Sequence, residues 1–118
     1  MEMEKTLRMS LLYDFYGPLL TERQQDVYLM YFQEDLSLGE IGEQLDVSRQ
    51  AIYDNLKRAE AILEGFEDKL GLISKFEERQ EVYEDCLILL DKILSGDKEY
   101  LTLAGELKNK IEYVQATG

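Results

Sequence analysis

Two serines eleven positions apart, Ser37 and Ser48, constrain this chain more than any other feature. Glu40 stands three places after Ser37, and each serine opens a segment with apolar residues at helical spacing. A serine before a helix accepts a hydrogen bond from a backbone N–H of the first turn, and a glutamate at the third helical position can bond back to the serine's own N–H. Leu36 with Ile41, and Val47 with Ile52, are apolar pairs placed to staple the two starts. Ile41 and Leu45 give the first helix its buried pair, and Ile52 and Leu56 serve the second. Asp46 has to carry a left-handed turn between them, which aspartate tolerates better than most residues. Gly42 offers the smallest side chain where two crossing helices approach. Residues 37–58 therefore read as a helix-turn-helix. In the DNA-binding form of that motif the first residues of the second helix enter a major groove. Here those are Arg49, Gln50, Tyr53 and Asp54.

The rest of the chain is helical too, with no strand pattern of any length. Leu7, Leu11, Leu12, Phe15 and Tyr16 line one side of a helix over residues 4–16, which Gly17-Pro18 ends. Thr21 caps the next, with Gln24 at the return position. Val27, Tyr28, Met30, Tyr31 and Phe32 make its apolar surface wide, so this helix is expected at the centre of the N-terminal bundle, with Tyr28 and Tyr31 in the core. The second helix of the motif runs on through Ala59, Ile62, Leu63, Phe66 and Leu70 to Gly71, a natural stop. Residues 72–94 form another helix with Phe76, Tyr83 and Leu90 in line, and Cys86, Leu87, Ile93 and Leu94 beside them. Ser95-Gly96-Asp97 breaks the chain before a last helix bearing Tyr100, Leu103, Ala104, Leu107, Ile111 and Val114. The expected architecture is all-α: a helix-turn-helix domain over 1–70, then a C-terminal helical pair over 71–118 packed on it as one compact unit. The stripes of that pair serve either an intramolecular core or a homodimer surface.

Charge narrows the function. The 25 acidic and 13 basic side chains of these 118 residues give a net charge of −12, and residues 1–60 and 61–118 each carry −6. No basic arm exists, so phosphate affinity has to come from local clustering against the field of the whole molecule. Cys86 is the single cysteine, set in the apolar run Cys86-Leu87-Ile88-Leu89-Leu90, and reads as a buried small hydrophobe. No secretory signal and no membrane-spanning stretch is present, which points to the cytoplasm. Glu77, Glu78, Glu81, Glu84 and Asp85 crowd one helix, but the chain contains no histidine, and the crowd reads as solvated surface rather than as a metal site. No phosphate-cradling glycine loop and no nucleophile with a base partner occur, so neither enzyme activity nor a cofactor is expected.

The run Leu20-Thr21-Glu22-Arg23-Gln24-Gln25-Asp26-Val27, followed by LSLGEIGEQLDVSRQAIYDNLKRA, resembles the promoter-reading C-terminal region of bacterial sigma factors over residues 19–66. With LLYDFYGPLLTERQ before it and the acidic helical tail after it, the whole chain resembles the small YlxM family of helix-turn-helix proteins, encoded beside signal-recognition-particle GTPase genes in Gram-positive bacteria. The resemblance implies a sigma-like fold and a regulatory role in the signal-recognition-particle targeting pathway, with the particle's GTPase or its RNA as partners. The alternative it implies is a transcriptional regulator reading promoter DNA.

The chain departs from the sigma pattern in having Tyr53, Asn55 and Glu60 where basic side chains are usual. Arg49, Lys57 and Arg58 are left to meet phosphates, with Gln50 and Asn55 able to bond an adenine edge and Tyr53 able to stack on an unpaired base or anchor a protein. Between residues 37 and 60 the acidic Glu40, Glu43, Asp46, Asp54 and Glu60 outnumber those three cations. Glu77, Glu81 and Glu84 are the candidate contacts for a basic protein partner.

Overall fold

The computed structural model describes residues 2–117, with side chains for residues 4–117. They form α1 (Glu2–Tyr16), a 3-10 turn (Gly17–Leu19), α2 (Glu22–Phe32), α3 (Leu38–Leu45), α4 (Arg49–Leu70), α5 (Leu72–Leu94) and α6 (Tyr100–Thr117). The protein is all-α, and no strand occurs among the described residues. The chain divides into two compact units, Met1–Ile73 and Ser74–Gly118.

Local chemistry sets the helix starts of the first unit. Thr21 Oγ1 accepts from Gln24 N at 3.2 Å, and Gln24 Oε1 accepts from Thr21 N at 3.0 Å. Ser37 and Glu40 form the same reciprocal pair at 3.1 and 3.0 Å. Ser48 Oγ accepts from Ala51 N at 3.0 Å and opens α4. These caps satisfy N–H groups that the helix itself leaves without partners. Leu36 packs on the cluster that holds Ile41, as a staple does, whereas Val47 remains 41% exposed. Asp35, at φ 56°, adds a left-handed turn after α2 that lets Leu36 N–H donate to Met30 O at 3.0 Å.

Packing differs from the periodicity in three places. The buried stripe of α1 is Met9, Leu12 and Tyr16, while Leu7 stands 65% exposed. Tyr31 is exposed as well, its ring edge-on to Phe32. The central element is α4 rather than α2, because α1, α2 and α3 all pack against it. The α4 stripe Ile52, Leu56, Ala59 and Leu63 is buried along its length and joins two clusters, one about Leu12, Tyr16, Tyr28 and Leu63, the other about Val27, Ile41 and Ile52.

The junction between α4 and α5 is built around a buried carboxylate. Gly71 takes a left-handed conformation (φ 62°), its N–H donating to Glu67 O, and so ends α4. Glu67, 8% exposed, accepts on Oε1 from Tyr16 Oη at 2.6 Å and from Ile73 N at 2.9 Å, while Leu72 N donates to Tyr16 Oη at 3.1 Å. One helix side chain and one tyrosine thereby cap the first turn of the next helix. Burial, then the hydrogen bond to Glu67, raises the Tyr16 hydroxyl above the ordinary tyrosine value.

In the second unit α5 and α6 run antiparallel. Gly96 (φ 87°) and the Asp97 carboxylate, which accepts from Glu99 N at 2.8 Å, shape the turn. Lys110 reaches Asp85 at 3.4 Å, and the Tyr113 hydroxyl donates to Glu78, which raises the tyrosine's pKa. The unit buries only Cys86 and Leu89 among its described apolar side chains. Cys86 is a packed thiol, as its apolar neighbours suggest.

Candidate functional site

The turn between α3 and α4 fixes where the second helix of the motif begins. Asp46 occupies the left-handed region (φ 57°, ψ 46°), and Val47 N–H donates to Gly42 O at 2.9 Å. A Cβ on Gly42 would lie 2.7 Å from the Val47 carbonyl oxygen, so the glycine makes room for the backbone of the turn itself rather than for the body of a crossing helix. Arg49, the first residue of α4, lays its side chain over Gly39. A bulkier residue at position 39 would push on that arginine.

Four of the expected residues share one side of α4. Arg49, Gln50, Tyr53 and Lys57 are all exposed, and the first three line a shallow depression with Leu38. They are not equally available. Gln50 Nε2 donates to Asp54 Oδ1 at 3.0 Å, which occupies the amide. Lys57 lies over the Tyr53 ring, 5.5 Å from its centroid, and 3.6 Å from Glu60, which also meets Lys5 at 3.7 Å. The nearby Glu60 carboxylate, and then Tyr53, hold the Lys57 ammonium above its ordinary pKa, so the charge is present but answered. Arg49 and Arg58 are exposed and form no ion pair among the described residues.

Asn55 does not join this group. Two helical positions from Tyr53 amount to about 200° of rotation. Its side chain is half-buried, with Oδ1 buried and lacking a hydrogen-bond partner among the described residues. Beside the Tyr53 and Lys57 flank lies a groove of about 620 Å³, lined by Lys5, Tyr31, Phe32, Leu36 and Leu38. Sequence reading did not find this groove. The i,i+3 spacing of Lys57 and Glu60 was a usable signal for part of it, but nothing local connects Lys5 to either.

The acidic candidates lie on α5 in the second unit. Glu77, Glu81 and Glu84 are exposed and form no ion pair among the described residues, whereas their neighbours Glu78 and Asp85 are engaged by Tyr113 and Lys110. Among the described residues no group of three or more His, Cys, Asp or Glu side chains could hold a metal ion, and no helix is long and apolar enough to cross a membrane.

This arrangement has relatives. Residues 3–102 match the UPF0122 family, described as "Putative helix-turn-helix protein, YlxM / p13 like". A UPF0122 protein of Geobacillus kaustophilus is 48% identical over 105 residues, covering 89% of this chain and 96% of its own. One from Halalkalibacterium halodurans is 53% identical over 96 residues, 81% of this chain and 88% of its own. One from Bacillus thuringiensis is 48% identical over 113 residues, 96% of each. With caps, left-handed turn and recognition helix all in place, the chain belongs to the UPF0122 family of YlxM/p13-like helix-turn-helix proteins.

Proposed function

We propose that this protein is a non-catalytic helix-turn-helix regulator acting in the cytoplasm, in the signal-recognition-particle targeting pathway that the YlxM resemblance implies. The observation that carries the reading is the charge balance of the α4 face. Lys57 is answered by Glu60, Gln50 is held by Asp54, and Asn55 is turned inward. Phosphate contacts supply most non-specific affinity for duplex DNA, and this face offers few of them. The exposed carboxylates Glu77, Glu81 and Glu84 suit instead a basic partner, such as the RNA-binding part of the targeting GTPase, and opposite charges of that kind speed encounter.

A second reading, a promoter-binding regulator, draws on the open guanidinium groups of Arg49 and Arg58 together with Gln50, Tyr53 and Lys57. One comparison separates the two. The purified protein is offered the particle's GTPase, its RNA and the protein's own promoter DNA, each at two salt concentrations. Binding to the GTPase that weakens with Glu77→Lys and Glu81→Lys, or binding to the particle's RNA with no preference for promoter DNA, supports the targeting role. Salt-sensitive binding to the promoter alone, with sequence preference changed by Arg49→Ala or Gln50→Ala, replaces it with the transcriptional one.

A further inference from the structure

Helix α5 carries two apolar seams, and its partner in the second unit takes only one. Val82, Cys86, Leu89 and Ile93 are buried or half-buried, on the side that meets α6. About 110° round the helix, a second seam runs through Phe76, Gln80, Tyr83, Leu87, Leu90 and Leu94 in strict 4-3-4-3-4 spacing. Tyr83, Leu87, Leu90 and Leu94 are 47%, 61%, 39% and 82% exposed. A seam of that period over about 27 Å is the surface of a coiled coil, and two seams at roughly a right angle suit a helix inside a four-helix bundle.

The residues around the seam choose its occupant. With Gln80, Leu87 and Leu94 at a, and Phe76, Tyr83 and Leu90 at d, one flank (e) reads Glu77, Glu84, Asp91 and the other (g) reads Arg79, Cys86, Ile93. An antiparallel partner of the same sequence would set the three carboxylates against their own copies. A parallel one sets each g residue against the e residue five places on, bringing Arg79 to Glu84. Gln80 sits at an a position, where a single polar side chain fixes register, and a primary amide both donates and accepts, so it can satisfy its own copy across a two-fold axis. We propose that a second copy of this chain occupies the seam, forming a parallel, in-register homodimer through α5. The contact is isologous, each copy giving and receiving the same surface.

The test uses the full-length chain in a sedimentation-equilibrium concentration series. The expected species is a dimer of twice the 13.8 kDa chain mass. Leu87→Glu with Leu90→Glu should weaken association about 100-fold or more, as losing two central contacts does, with far-ultraviolet circular dichroism monitoring the fold. Arg79→Glu should weaken it, and adding Glu84→Arg should restore it. These two sites lie outside the core, so this swap stays informative even if the leucine variant unfolds. Leu90→Cys in a Cys86→Ser background should cross-link to itself under a mild oxidant. A monomer at every concentration, or a dimer indifferent to both the leucine and the charge changes, overturns the proposal. A dimer that persists while the Leu90→Cys variant fails to cross-link overturns the parallel arrangement.

Discussion

The first unit packs α1, α2 and α3 on α4 about two joined apolar clusters, with Leu12, Val27, Ile41, Leu63 and Ile73 all 0% exposed. The second unit has two helices, of comparable length and apolar content, and buries only Cys86 and Leu89 among its described apolar residues. The difference lies in the number of neighbours. A helix covers one stripe for each helix packed on it, and α4 has three such neighbours within its unit, whereas α5 has one in the second. Where partners run out, as on α5, apolar residues face solvent until something else covers them.

Several substitutions can break or sharpen that contrast. Leu63→Ala should cost about 2–5 kcal/mol in denaturant unfolding, because a fully buried leucine leaves a cavity. Leu89→Ala should cost clearly less in a dilute sample, and an equal loss at both sites would abolish the distinction between the units. Glu67→Ala removes the acceptor that Tyr16 and Ile73 share, and each orphaned donor costs about 1–3 kcal/mol. Glu67→Gln retains an acceptor and should lose less, with amide exchange at Ile73 as the local readout. Gly42→Ala should cost about 1–3 kcal/mol, since its Cβ would meet the Val47 carbonyl.

Alkali should act on the first unit. Tyr16 and Tyr28 are buried and both titrate above the ordinary value, Tyr28 through burial first and the nearby carboxylates Glu60 and Asp14 next. The unfolded chain loses these protons near pH 10 and the folded one only above it. Their contribution is therefore complete below about pH 10 and declines as the pH rises further. Thermal midpoints measured up the alkaline limb should fall, and Tyr16→Phe should make that fall shallower. Ser37→Ala should have the smallest effect, about 1 kcal/mol, because it removes the hydroxyl that accepts from Glu40 N but keeps the backbone N–H of residue 37, the first cause of the lowered Glu40 carboxyl.

Much of this molecule was legible in its sequence, and the legible parts share a property. Thr21 with Gln24, Ser37 with Glu40, Ser48, Asp46 and Gly71 all act on groups within a few residues of themselves, so spacing alone locates them. The choice of buried face was harder. Met9 wins over Leu7 because of where α4 passes, which is not encoded within α1. Within the candidate site, the exposure of Arg49, Gln50, Tyr53, Lys57 and Arg58 follows from the amphipathic period of α4. The inward turn of Asn55 could have been read from its angle to Tyr53. Lys5, placed at Glu60 by the docking of α1, could not. The role of Glu67 was hidden for the same reason, its two partners coming from different helices.

The Tyr16–Glu67 contact also bears on how the chain is born. A ribosome releases the N-terminus first, and Tyr16 must wait 51 residues for the carboxylate it binds. At about 5–20 residues per second that delay is about 3–10 s, long beside the microseconds in which α1 can coil. Until its end the Met9, Leu12 and Tyr16 stripe has no complete α4 to rest on. Slowing translation between Tyr16 and Ile73 should therefore lengthen the exposure of the nascent α1 stripe to chaperones in proportion.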